Sequence, residues 1–288
     1  NKKMILKALL SGSDTILAPG ICDALTALIA EQSGAKMVYL SGAGLAYTRF
    51  GSPDIGLVSM AEVADTIALI RDRVSIPIIV DADNGFGNAL NVQRTMRVFE
   101  RNGANALQLE DQTMPKRCGH LDGKALISAS EMAGKLHAAA DARASDTTLI
   151  IARTDAIAVE GFEAACDRAE LYIEAGADLL FIEAPQDRTQ LEEISNRFSG
   201  RIPLMANMVE GGKNPIHGIA DLKTLGYSCV IFPGGVVRAL AKTASDYYHA
   251  LIFNGSNDGF RDRMYDFDGL NGVIKTHSIL SQGKKYGN

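Results

Sequence analysis

Short, continuously apolar runs recur along this chain. Each is followed by polar or glycine-rich residues and then by a helical pattern. Eight are visible: Ile16–Ala18, Met37–Leu40, Ile78–Val80, Ala106–Leu109, Leu149–Ala152, Leu179–Ile182, Pro203–Ala206 and Val230–Phe232. A run that is apolar throughout, rather than alternating, predicts a strand buried on both faces of a parallel sheet. Between runs the punctuation is consistent. Ser33-Gly34-Ala35, Asn102-Gly103-Ala104, Glu174-Ala175-Gly176-Ala177 and Leu225-Gly226-Tyr227 each place a glycine where a helix must end. Ser128-Ala129-Ser130-Glu131 has the form of a capped helix start. Eight strand–helix units predict an α/β fold of the (β/α)8 barrel type as a single domain over 1–288, with 255–288 as a C-terminal helical tail. An open, doubly wound sheet is the rival arrangement, but no Gly-x-Gly-x-x-Gly follows the first run.

Composition narrows the class. The chain has 288 residues, 47% of them hydrophobic, which suffices for a large core. A net charge of −5 without a basic stripe argues against nucleic acid as a partner. No apolar run approaches the roughly 20 residues that a membrane span requires. Four cysteines in a chain of this length do not form a disulfide framework, and the N-terminal residues carry no secretory pattern, so the expected setting is cytoplasmic.

Chemistry in such a barrel sits at the C-terminal ends of the strands. Reading past each run gives Ser41-Gly42, then Asp81 and Asp83, then Glu110 and Asp111, then Arg153 and Asp155, then Glu183, then Asn207 and Glu210, and finally Pro233-Gly234-Gly235. No lysine directly ends a strand, which counts against a Schiff-base aldolase. Asp81 and Asp83 are two apart, so an extended chain projects them to one side, where they repel unless a cation or proton intervenes. With Glu110 they make a candidate Mg²⁺ or Mn²⁺ site. The competing reading has one carboxylate capping a helix and another pairing with an arginine.

After Glu110-Asp111 comes a glycine-containing loop with Lys116-Arg117-Cys118-Gly119-His120. A thiol among cationic neighbours is biased toward thiolate and suits proton transfer. Cys22, Cys166 and Cys229 lie in apolar patterns and read as core residues. His120 is a candidate for orienting the loop or contacting substrate, and the stretch from Gln112 to Gly123 is long enough to act as a lid. Arg153 is placed to receive a substrate carboxylate or to pair with Glu183. Ser41-Gly42-Ala43 offers backbone N–H groups to an anion.

These motifs resemble the isocitrate lyase / phosphoenolpyruvate mutase superfamily. The resemblance is carried by Ser41-Gly42, Pro53-Asp54, Asp81-Ala82-Asp83 with Gly85-Phe86-Gly87, Leu109-Glu110-Asp111-Gln112, Lys116 to His120, and Ala152-Arg153-Thr154-Asp155. It implies a Mg²⁺-dependent barrel, usually a homotetramer whose eighth helix is swapped between subunits. It further implies that Asp81, Asp83 and Glu110 hold the metal with Asp54 close by. Tyr39, Ser41, Gly42 and Ala43 would cradle a pyruvate-like carboxylate. Arg153 would stabilise developing charge and Cys118 would protonate the carbanionic product fragment. Lys116 and His120 join the catalytic loop, while Gly119, Glu183, Asn207 and Arg238 are expected to line the substrate pocket. The cysteine loop marks the carbon–carbon lyase branch.

The implied reaction is retro-aldol cleavage of a 2-hydroxy acid to pyruvate and a second carboxylic acid. The stretch from Asn207 to Pro215 is similar to enzymes acting on 2,3-dimethylmalate. Cleavage of 2-methylisocitrate is the nearest alternative. Oxaloacetate hydrolysis or decarboxylation and carboxyphosphonoenolpyruvate phosphonomutase chemistry are more distant ones. Pro233-Gly234-Gly235 departs from the Pro-x-Ser/Thr of malate-type lyases.

Overall fold

The computed structural model describes residues 4–119, 123–209 and 218–287. Eight parallel strands form the sheet: β1 Ile16–Ile21, β2 Val38–Leu40, β3 Ile78–Asp81, β4 Ala106–Glu110, β5 Leu149–Thr154, β6 Leu179–Ile182, β7 Met205–Asn207 and β8 Cys229–Phe232. They pair in the order β6-β5-β4-β3-β2-β1-β8-β7. A single parallel bridge between Leu180 and Leu204 joins the two remaining edges. With helices between the strands, this is the (β/α)8 barrel expected from the apolar runs.

The runs look continuous because each strand faces two cores. Inward-facing Ala18, Met37, Tyr39, Ile79, Ala106, Ile151, Phe181, Met205 and Ile231 pack together in the barrel interior. Outward-facing Val38, Ile78, Val80, Leu107 and Ile150 pack under the helices of the first half, and Leu180, Leu204 and Val230 under those of the second. Both faces are thus removed from water, and the hydrophobic stabilisation scales with that double burial. β1 is the exception, since outward-facing Leu17 remains 40% exposed.

Local signals act where the sequence places them. Gly34, Gly103, Gly176 and Gly226 all take left-handed φ, from 82° to 108°. Ser128 caps the helix Ala129–Ala142 by accepting from Glu131 N. Strand β7 is shifted from its expected place, covering Met205–Asn207 rather than starting at Pro203, because proline has no N–H for the ladder.

The chain forms two compact units, Asn1–Gly235 and Val236–Asn288. The first holds the barrel. The second holds nearly all of the helix Gly235–Asn254 and the helices Phe267–Val273 and Thr276–Lys284, so the expected tail of 255–288 lies within it. Among the described residues no helix is long and apolar enough to cross a membrane.

Two glycines test the packing in opposite directions. A Cβ at Gly20 would lie 2.3 Å from Pro233 O and 2.6 Å from Phe232 O, both backbone atoms. Gly20→Ala therefore forces β1 from β8 and should cost at least about 1–3 kcal/mol. Gly134 is helical with nothing near its missing Cβ. Gly134→Ala should stabilise by roughly 0.5–1 kcal/mol. Urea denaturation of both variants checks the pair of signs.

Candidate active site

The strand ends of the barrel bring together a group of buried acids. Asp54, Asp81, Asp83, Glu110, Asp155 and Glu183 are all less than 9% exposed. Asp81 is fixed from two sides: Asp83 N donates to its Oδ1 at 3.2 Å and Gly42 N to its Oδ2 at 3.3 Å. Asp83 and Asp81 do not share an extended segment, as their spacing had suggested. Asp83 stands beyond the end of β3 with φ +46°, and the chain turns there. Ala184, past β6, also has a positive φ of 58°. Non-glycine residues in this region carry strain that surrounding structure must hold, and such strain concentrates at functional sites.

Three cations answer these acids. Lys116 Nζ lies 2.6 Å from Asp54 Oδ1 and 2.7 Å from Asp83 Oδ1, the latter contact having the distance of an ion pair without hydrogen-bond direction. Arg153 donates through Nε and Nη2 to the two oxygens of Asp155, at 3.0 and 3.1 Å. Its Nη1 lies 3.2 Å from Glu110 Oε2, and its Nε is 4.0 Å from Glu183 Oε2. Arg153 is thus held chiefly by Asp155 and Glu110 rather than by Glu183. Lys124 is the third cation, bound to Asp155 Oδ1 at 2.9 Å.

The protonation balance follows from burial. Burial lifts Asp83 to about 6, with Lys116 pulling down and Asp81 and Asp54 pushing up. Burial likewise pushes Glu110 well above the ordinary carboxyl range, against the pull of Arg153. For Lys116 burial works against the charge, yet Asp83, Asp81, Glu110 and Asp54 together hold its pKa well above the lysine norm. Asp155 behaves oppositely to Asp83. Burial would raise it, but Arg153 and Lys124 outweigh that and lower it.

The cysteine loop closes onto these groups. Its base is pinched by an antiparallel bridge between Gln112 and Leu126. Inside, the Gln112 side chain takes the place of a strand, accepting from Arg117 N and donating to Arg117 O, both at 2.9 Å. Cys118 is half-buried, whereas Cys22, Cys166 and Cys229 are buried. Burial pushes the Cys166 thiol up to about 11, as befits a core residue. Gly119 lies on the arginine: a Cβ there would be 2.4 Å from Arg153 Nη2 and 3.0 Å from Glu183 Cγ. The expected cationic surroundings of Cys118 need correction on one point. The Lys116 ammonium turns away into Asp54 and Asp83, which neutralise it.

The remaining expected residues divide by place. Tyr39 is buried in the barrel interior and donates to Gln108 Oε1 at 3.1 Å. Ser41 caps the helix Gly42–Phe50, accepting from Gly44 N at 3.1 Å, and Ala43 sits in its first turn. Asn207 donates to both Glu183 oxygens, at 3.3 and 3.4 Å. Arg238 is on the helix Gly235–Asn254, in the second unit. His120 and Glu210 lie outside the described residues.

Among the described residues no three acidic, histidine or cysteine groups converge at metal-ligand spacing, and the Lys116 ammonium stands among Asp54 and Asp83. The donor set nevertheless fits a hard divalent cation. Six carboxylates face three cations, Glu110 Oε1 is buried with no hydrogen-bond partner, and Gly42 leaves open a cradle 3.1 Å from Asp81 Oδ2 and 3.3 Å from Asp83 Oδ1.

The sequence profile of the phosphoenolpyruvate phosphomutase family matches residues 6–252. The chain belongs to this family. Among its relatives is the 2-methylisocitrate lyase of Aeropyrum pernix, 44% identical over 91% of this chain and 83% of that protein. The 2,3-dimethylmalate lyase of Eubacterium barkeri is 39% identical over 98% of this chain and 96% of that one. A crystal structure of 2,3-dimethylmalate lyase, described as a PEP mutase/isocitrate lyase superfamily member, superposes with a TM-score of 0.94 at 30% identity, covering 100% of this chain and 96% of the other.

A second network, around Asp111, was not anticipated. Asp111 Oδ2 accepts from Thr154 Oγ1 at 2.7 Å, Tyr172 OH at 2.8 Å and Arg168 Nη1 at 3.3 Å, while Oδ1 accepts from Asp155 N at 3.0 Å. The sequence signal was present only as an acid following Glu110; its partners lie 43 to 61 residues away. Asp111→Ala leaves a buried guanidinium, hydroxyls and an N–H short of an acceptor. It should destabilise the barrel by about 3 kcal/mol, measured by urea denaturation.

Proposed function

We propose that this protein is a Mg²⁺-dependent carbon–carbon lyase that cleaves a short 2-alkylmalate-type acid to pyruvate and a second carboxylic acid, with 2,3-dimethylmalate as the leading substrate. The observation that carries this reading is the cysteine loop closed onto the acid cluster through Lys116, with Gly119 against Arg153. Near-complete mutual coverage with 2,3-dimethylmalate lyase supports the substrate. The higher identity to 2-methylisocitrate lyase makes 2-methylisocitrate the second substrate to test.

Superfamily enzymes are in general Mg²⁺-dependent. Asp81, Asp83 and Glu110 would hold the ion, which when bound supplies a Lewis acid for the 2-oxygen and carboxylate of the substrate. Ser41, Gly42 and Ala43, with Tyr39 below, would receive the pyruvate end. Arg153 is already desolvated and aimed by Asp155, so it stabilises charge on the oxygen without reorganising. A carboxylate of the acid cluster takes the 2-hydroxyl proton, the oxygen's electron pair forms the C2 carbonyl, and the C2–C3 bond breaks with its electrons remaining on the C3 fragment. Cys118 then gives its Sγ proton to that carbon. The closed loop excludes water that would otherwise compete for this step. His120, Asp54, Glu183 and Asn207 are assigned to substrate contact in this reading.

We further infer a homotetramer with a swapped eighth helix. Leu17 on the outer face of β1 is 40% exposed, and Ile252 and Phe253 on the helix Gly235–Asn254 are 81% and 83% exposed. Apolar surface of this kind marks a protein contact. Light scattering should return a tetramer, and a monodisperse monomer would refute it.

Activity is tested with 2,3-dimethylmalate, 2-methylisocitrate, citramalate and oxaloacetate, following pyruvate with a coupled dehydrogenase, with and without chelator. Chelator-sensitive pyruvate from 2,3-dimethylmalate is expected. Cys118→Ser should lower turnover by about 10²–10⁴-fold while Mg²⁺ binding, followed calorimetrically, is retained. Near-normal turnover by that variant removes Cys118 as the acid.

A further inference from the structure

We propose that Lys124 is the positioning residue for Cys118, fastening the cysteine loop to the carboxylate that aims Arg153. The Lys124 side chain is 3% exposed, although it belongs to a polar loop. Its ammonium lies between two acceptors: the carbonyl of Gly119 at 2.6 Å and Asp155 Oδ1 at 2.9 Å. The same Asp155 holds Arg153 through both oxygens, and its own N–H is tied to Asp111. One carboxylate, fixed to the barrel wall, therefore grips the arginine and the loop together.

The placement matters because of what flanks Cys118. On one side Lys116 is bound to Asp54 and Asp83. On the other, Gly119 is bound to Lys124 and lies against Arg153. Two residues separate these anchors, so while both hold, the thiol has little room to move. Releasing the Lys124 anchor leaves the loop held through Lys116 and frees the backbone at Gly119, next to Cys118. Lys116 answers the acid cluster. Of those acids Lys124 touches Asp155, and with its bond to the Gly119 carbonyl this places it to act through these two groups. That separates a positioning role from a catalytic one.

This inference rests on the reading of Cys118 as the proton donor, so its test carries a readout that needs no substrate. The full-length chain is treated with iodoacetamide and alkylation of Cys118 is timed by peptide mass spectrometry, with buried Cys22, Cys166 and Cys229 as internal controls. Lys124→Met keeps the length of the side chain and deletes the charge. Cys118 alkylation should quicken about tenfold while the three controls stay unreactive, and kcat on the best substrate should fall about 10²-fold with KM changed little, as expected for a misplaced reacting group. Lys124→Arg should recover part of both.

Alkylation and kcat within twofold of the parent in folded Lys124→Met would overturn the proposal. So would faster alkylation with intact turnover, or a lowered melting point with neither effect. If Lys124→Met does not fold, Lys124→Gln, which deletes the same charge but leaves Asp155 on Arg153, is measured in the same way and judged by the same outcomes. If the parent turns over none of the acids, the function reading fails, while the alkylation rates still decide whether Lys124 holds the loop.

Discussion

The mouth of this barrel is governed by the cost of keeping carboxylates charged out of water. The ends of β3, β4, β5 and β6 contribute Asp81, Asp83, Glu110, Asp155 and Glu183, Asp54 joins them, and all are buried. An unpaired buried charge is unstable, and the group either neutralises itself or finds a cation. Both responses are present. Asp83 and Glu110 are driven upward by burial, whereas Asp155, gripped by Arg153 and Lys124, remains low. The cysteine loop is polar and has little apolar surface with which to fold down. Its closed position is explained instead by Lys116, which supplies the acid cluster with a positive charge. Loop closure and charge compensation are therefore one event. In the proposed mechanism a divalent cation at the same carboxylates would change the balance that seats the loop.

The fold was legible because the physics that builds it is local and repeated. Double burial makes a strand apolar along its length, and a left-handed glycine closes the helices at Gly34, Gly103, Gly176 and Gly226. The strand-end acids were legible for a related reason: a charge immediately after a fully apolar run has no structural excuse. Cys118 stood out because its neighbours are polar where those of the other cysteines are apolar.

What the sequence hid was long-range pairing. The grouping of Asp111 with Thr154, Arg168 and Tyr172, and of Lys124 with Asp155, carries no spacing rule. The same limit misdirected the electrostatic reading of the loop. Lys116 beside Cys118 in sequence implied a positive field at the thiol, but in space its ammonium belongs to Asp54 and Asp83. The turn at Asp83, with its positive φ, was likewise invisible to an argument built on extended alternation.

Two networks of different character meet at Asp155. Below, Asp111 binds wall elements to one another: the end of β5, the helix Phe162–Glu174 and, through Arg168, the carbonyl of Ile127 at the far base of the loop. Above, the Asp155 carboxylate is divided between Arg153 and Lys124. The lower network pairs Arg168 with Asp111 and Glu160. The upper one is made of groups that substrate and cation would also claim. In the proposed retro-aldol cleavage the arginine would have to be in place before charge develops, and the proton donor held over the carbon that receives the electrons. Tying both the arginine and the loop backbone at Gly119 to one carboxylate couples the placement of the two.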